Sequence, residues 1–206
     1  MNGTIHNIWS VPIWSSFIKQ DYTWLDAAKK IEYERMYSDN GDITINKNIL
    51  ELPEFSTLKN HIVEEFKKYV YGYLSIKKEI NFKFLNSWIV KHKKGDSAQS
   101  HLHANSMFSG TYYLLHKPKM GNINFLKENS VNNIGFSNIM FDYENFNAVN
   151  CQSYTVDCKQ DLVIFFPSHI KHSVEKNELD LHRYSIAFNI WPVGRFGNKE
   201  YQLELK

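Results

Sequence analysis

Cysteine is scarce in this chain. Only Cys151 and Cys158 occur among 206 residues, seven positions apart. A disulfide-built fold needs more cysteines and a secretory leader. The opening "MNGTIHNIWSVPIW" has no basic stretch followed by an apolar one, so the two thiols read as buried or idle in a reducing compartment. Long apolar runs are missing as well, and none approaches the roughly 18 to 20 residues a membrane span needs. Net charge is low too, at +2. The lysines are scattered and mostly sit beside acids, which argues against nucleic acid as a partner. These absences lead to the expectation of a soluble, cytoplasmic protein with no membrane or nucleic-acid partner. They leave its oligomeric state open.

Aromatic residues are plentiful, at 15%, which suits a β-rich core. The length suits a single domain over 1–206 with a sizeable core. "HNIWSVPIWSSFI" alternates apolar and polar residues around Pro12, as an edge strand does where a missing N–H is tolerated. "DYTWLDAAKKIEYERMYS" predicts a helix, with Asp21 as its cap and Trp24, Leu25, Ala28, Ile31 and Met36 on one face. A second helix is predicted from about Glu54 to Leu74, where Phe55, Leu58, Ile62, Phe66 and Val70 recur at spacings of three and four.

From Asn81 the period shortens to that of strands, through "FKFLNSWIVKHKK", "MFSGTYYLLHK", "GNINFLK", "CQSYTVDCK", "DLVIFFP" and "RYSIAFNIW". Helices followed by a run of strands predict a helical support, about 21–75, carrying a sandwich or barrel, about 81–192. The stretch from Lys127 to Asn150 reads as a long loop over one mouth.

The chemistry concentrates in "SAQSHLHANSMFSGTYYL". His101 and His103 are one residue apart and share a strand face, so two imidazoles can chelate one divalent metal. A third ligand is needed, and "FFPSHIKHSV" offers His172, with His169 as its competitor. On the strand beyond, Arg183 and Ser185 share a face with Ala187 and Asn189. An arginine there suits a carboxylate, held bidentately, although Glu175 or Asp180 could serve as its partner instead. Asp96 is an alternative to His103 as a ligand. Asn86 and Trp88 share a face of the preceding strand and could line a pocket. His6, His61, His92, His116 and His182 read as structural, and Gly95 and Gly110 as turn and close-approach glycines.

With "NSWIVKHKKGDSAQSHLHANSMFSGTYYL", "DLVIFFPSHIKHSV" and "HRYSIAFN" in this order, the chain resembles the Fe(II)- and 2-oxoglutarate-dependent oxygenases. It is most similar to a marine bacterial and phage-type family among them. The resemblance covers about residues 84 to 190. It implies a double-stranded β-helix, or jelly-roll, core that is mainly β with N-terminal helices. It also implies Fe(II) at His101, His103 and His172, and 2-oxoglutarate as cosubstrate at Arg183, Ser185 and Tyr113. The implied activity is a dioxygenase that hydroxylates a small molecule or a protein side chain, releasing succinate and CO2. His103 departs from the pattern, because it stands where most such oxygenases carry Asp or Glu. A three-histidine face also fits a cupin-like dioxygenase or isomerase that uses no 2-oxoglutarate. A non-catalytic jelly-roll binding module is a third reading.

Overall fold

The computed structural model describes residues 10–37, 40–127, 142–147, 150–198 and 200–205. Its elements are β1 (Trp14–Phe17), α1 (Tyr22–Lys30), β2 (Tyr33–Arg35), β3 (Asp42–Thr44), α2 (Ser56–Lys67), β4 (Asn81–His92), β5 (Ala98–His101), β6 (Phe108–Leu115), β7 (Ile123–Leu126), β8 (Ser153–Val156), β9 (Leu162–Pro167), β10 (His172–Val174), β11 (Arg183–Phe196) and β12 (Leu203–Leu205). The strands form two antiparallel sheets. The major sheet runs β1-β9-β6-β11-β4-β3-β2, with β12 added to β11, and the minor sheet runs β5-β10-β7-β8. This is a jelly-roll, mainly β, with its helices in the N-terminal part of the chain. Among the described residues, no helix is long and apolar enough to cross a membrane.

Strand alternation sorts the major sheet into two faces. Tyr184, Ile186, Phe188 and Ile190 of β11 join Ile89, Tyr112, Leu114, Val163 and Phe165 in one apolar cluster. The helices cover that face with Trp24, Ala28, Leu58, Ile62, Phe66 and Tyr69. The opposite face sends Tyr113, Ile164 and Phe166 toward Ile123 and Phe125 of the minor sheet. The face of β11 that carries Arg183, Ser185, Ala187 and Asn189 therefore points between the sheets.

Asp21 caps α1 as expected, its carboxylate accepting from the Thr23 amide at 3.0 Å. The helix does not reach Met36, however. It stops at Lys30, where Ile31 turns extended (ψ 153°), and Tyr33–Arg35 pairs with β3. Tertiary contacts override the helical period here. The Tyr33 hydroxyl donates to Ala28 O at 2.8 Å, and the Lys91 ammonium sits 4.4 Å above its ring. The second helix does run on as predicted, because α2 passes into a π-helical turn over Lys68–Tyr73. At the N-terminal end, Pro12 lies just ahead of the edge strand, which begins at Trp14. Most of the predicted loop between Lys127 and Asn150, like His6, lies outside the described residues.

Gly110 makes the close approach expected of it. A Cβ there would stand 2.4 Å from the Phe188 ring and 2.6 Å from the Ile164 carbonyl oxygen. The carbonyl belongs to a paired strand and cannot yield. Gly110→Ala is expected to destabilise the fold by roughly 1–3 kcal/mol through overpacking. Urea unfolding at neutral pH measures this, and an unchanged midpoint would contradict the packing described.

Candidate active site

β5 and β10 pair so that His101 stands opposite His172, and the chain beyond β5 brings His103 to the same point. The loop carrying His103 is pinned by its own amide, which donates to Ser168 O at 3.1 Å. One ring nitrogen from each of His101, His103 and His172 can be chosen so that all lie within 4.8 Å of one another. His169 stays exposed and outside the cluster. Asp96 is engaged elsewhere, accepting from both terminal nitrogens of Arg35 at 2.8 and 3.0 Å. Burial alone would raise the Asp96 carboxyl, but Arg35 and the Lys93 amide hold it below its usual range. That pair ties the β2–β3 hairpin to the turn after β4.

The three imidazoles are oriented alike. Nδ1 of His101 lies 2.8 Å from Gln99 O, Nδ1 of His172 lies 3.0 Å from Ile170 O, and Nδ1 of His103 lies 2.6 Å from Asn189 Oδ1. All three acceptors are carbonyl oxygens, so each Nδ1 donates and each Nε2 keeps its lone pair. Metal-bound histidines show this arrangement. Burial lowers the pKa of His103, and it lowers that of His172 to about 3. Both rings therefore stay neutral and able to ligate.

A cavity of about 320 Å³ between the sheets joins this cluster to Arg183, Ser185 and Tyr113. Arg183 is almost completely buried, and no carboxylate meets it among the described residues. Its Nη1 donates to Met120 O and Gly121 O at 3.1 and 3.0 Å, while Nη2 donates to His92 Nδ1. Its Nε has no hydrogen-bond partner among the described residues, and neither does His92 Nε2. Neither Glu175 nor Asp180 is its partner. Tyr113 lines the cavity, but its hydroxyl lies 3.1 Å from Cys158 Sγ, which donates to it. Burial, followed by the Cys158 contact, raises the Tyr113 phenol well above its usual range.

Residues 86–189 match the family model described as "Putative 2OG-Fe(II) oxygenase". The chain belongs to this family. Its cofactors are therefore Fe(II) and 2-oxoglutarate, and the protein is an oxidoreductase. Solved structures of low sequence identity share the fold. An oxidoreductase of the 2OG-Fe(II) oxygenase family from Burkholderia pseudomallei is 13% identical, with a TM-score of 0.56 over 82% of this chain and 76% of that one. A prolyl-4-hydroxylase from Pseudomonas putida is 13% identical, with a TM-score of 0.55 over 87% and 93%. HygX from Streptomyces hygroscopicus, crystallised with nickel, 2-oxoglutarate and hygromycin B, is 9% identical, with a TM-score of 0.59 over 87% and 82%. No curated protein sequence matches the chain.

This oxygenase presents side chains that fit both cofactors. Three imidazoles whose ligand nitrogens lie within 4.8 Å of one another suit a divalent first-row metal. A buried guanidinium with an unsatisfied N–H suits an acid that enters the same cavity. Sequence reasoning set His92 aside as structural, yet it faces Arg183 across the β4–β11 pairing. The signal was present, because His92 continues the alternation of Trp88 and Val90 along β4. Burial and the Arg183 charge lower its pKa to about 3.

A histidine held neutral in the fold and free to protonate when unfolded destabilises the fold as pH falls below its unfolded value of about 6.5. His92 and His172 should each contribute up to about 1.4 kcal/mol per pH unit between about pH 6.5 and 5. The carboxylates with lowered pKa act in the same direction but only nearer pH 4. Metal-free protein is expected to show a urea midpoint that falls from pH 7 to pH 5. A midpoint that stays level or rises over that range would contradict buried neutral rings.

Proposed function

We propose that His101, His103 and His172 hold Fe(II) through Nε2, and that Arg183 and Ser185 anchor the far carboxylate of 2-oxoglutarate. On this reading the enzyme hydroxylates an uncharged C–H-bearing group, and the cosubstrate leaves as succinate and CO2. The observation that carries the proposal is the buried Arg183 guanidinium, which has no acid partner among the described residues and borders the cavity that also receives the three rings. Buried charges are normally paired, and a diacid reaching from the metal would pair this one. Ser185 stands beside Tyr113 in the β6–β11 register, so the hydroxyl and the phenol ring would form the wall along the cosubstrate.

When bound, Fe(II) and 2-oxoglutarate supply oxygen activation, with one oxygen atom going to succinate and the other to the substrate. The chain's part is to hold these groups side by side and keep water away. Apart from Arg183 and the histidines, the described cavity lining has no ionisable side chain except the buried Tyr113, and Met36, Ile43, Trp88, Val90 and Leu102 make much of it apolar. This supports a neutral small molecule or a neutral protein side chain as substrate. The free thiols of Cys151 and Cys158 support a reducing, cytoplasmic setting.

Conversion of 2-oxoglutarate to succinate by the Fe(II)-loaded protein is the direct test. Arg183→Met should raise the Kd for 2-oxoglutarate by tenfold or more, because hydrogen bonds to a charged partner contribute roughly 1.5–3 kcal/mol. The same variant should still bind Mn(II). His172→Ala should lose the metal. Unchanged 2-oxoglutarate affinity in Arg183→Met would refute the anchor.

A further inference from the structure

The third ligand is a histidine, and what stands behind it is an amide. Asn189 Oδ1 accepts from His103 Nδ1 at 2.6 Å and from Ser109 Oγ at 2.8 Å. Asn189 Nδ2 donates to Asn86 Oδ1 at 2.9 Å. Ser168 Oγ lies 2.7 Å from Ser109 Oγ and donates to Ser106 Oγ at 3.0 Å, so a chain of hydroxyls continues behind the amide. The register builds this cluster, for β11 sets Asn189 opposite Asn86 on β4 and opposite Ser109 on β6. Asn189, Ser109 and Ser168 are all buried, so little water competes for these bonds.

We propose that Asn189 is the positioning residue of the third metal ligand, its amide oxygen holding His103 as the Nδ1–H tautomer with Nε2 turned to the metal. The inference rests on the ligand assignment proposed above. An amide turned the other way would offer N–H to His103 Nδ1. The ring proton would then sit on Nε2, and the ring could not ligate. The Asn86 Oδ1 acceptor, which takes an N–H from Asn189 Nδ2, favours the productive orientation. Because the ligands are three histidines and the partner of His103 is an amide, neither the ligand set nor that partner carries negative charge. The metal then keeps its full charge for a dianionic cosubstrate.

The test uses Mn(II) binding to the full chain, prepared without a histidine tag. It compares wild type with His172→Ala, Asn189→Leu and Asn189→Asp. Long-range proton–nitrogen NMR of the metal-free wild type reports the His103 tautomer. We expect binding by wild type, loss in His172→Ala, and a roughly tenfold to hundredfold weaker Kd in Asn189→Leu. Asn189→Asp, which keeps the acceptor, should bind at least as tightly as wild type, and His103 should carry its proton on Nδ1. Equal binding by wild type and His172→Ala would overturn the ligand assignment itself. Binding that depends on His172 but is unchanged in Asn189→Leu would overturn only the role of Asn189. So would a weakened Asn189→Asp, or a His103 proton on Nε2. Those last two readings decide the matter if Asn189→Leu does not fold.

Discussion

The pairing of β11 between β4 and β6 is the constraint on which the site depends. Its register sets Arg183 opposite His92, Ser185 between Val90 and Tyr113, and Asn189 between Asn86 and Ser109. A slip of one residue would turn Arg183 and Asn189 into the helix-packed face and bring Tyr184 and Ile190 to the cavity. The apolar cluster under the helices prevents that slip, since Ile186, Phe188 and Ile190 are fully buried there. Packing on one face of the sheet therefore secures the chemistry on the other.

Electrostatics inside the sandwich follow from burial. A guanidinium removed from water keeps its charge and needs acceptors. It finds two backbone carbonyls and a neutral imidazole, and its Nε has no partner among the described residues. The imidazoles respond in the opposite way. Burial lowers the proton affinity of His92, His103 and His172, so they remain neutral, as ligands and hydrogen-bond acceptors must be. A site of neutral rings beside one fixed cation is short of negative charge, and a dicarboxylate fits that deficit.

Much of this could be read along the chain. The strands from β4 to β11 stand out by their two-residue period, and His101, His103, His172 and Arg183 by residue type and order. The end of α1 did not, because the helical period runs on through Met36 while Tyr33 and Arg35 answer to Ala28, Lys91 and Asp96 instead. His92 and Asn189 lay on the right faces, yet nothing along the chain revealed that one would meet Arg183 and the other His103. Asp96 is an alternative to His103 along the chain, and only the fold shows its partner Arg35, 61 residues away.

The expected shared strand face of His101 and His103 is not formed, because β5 ends at His101. The amino-acid sequence alone still determined which residues could bind metal, that Arg183, Ser185 and Asn189 share a strand face, and that a β-rich fold would carry them. Those properties depend on residue chemistry and on the two-residue repeat of an extended backbone, both of which are local. The tertiary structure alone decided which nitrogen of each ring stays free, what holds Asn189 in place, and that Arg183 is buried with no acid beside it among the described residues. Hydrogen-bond partners and removal from water both come from strands distant in the chain, and only the assembled sheets bring those strands together.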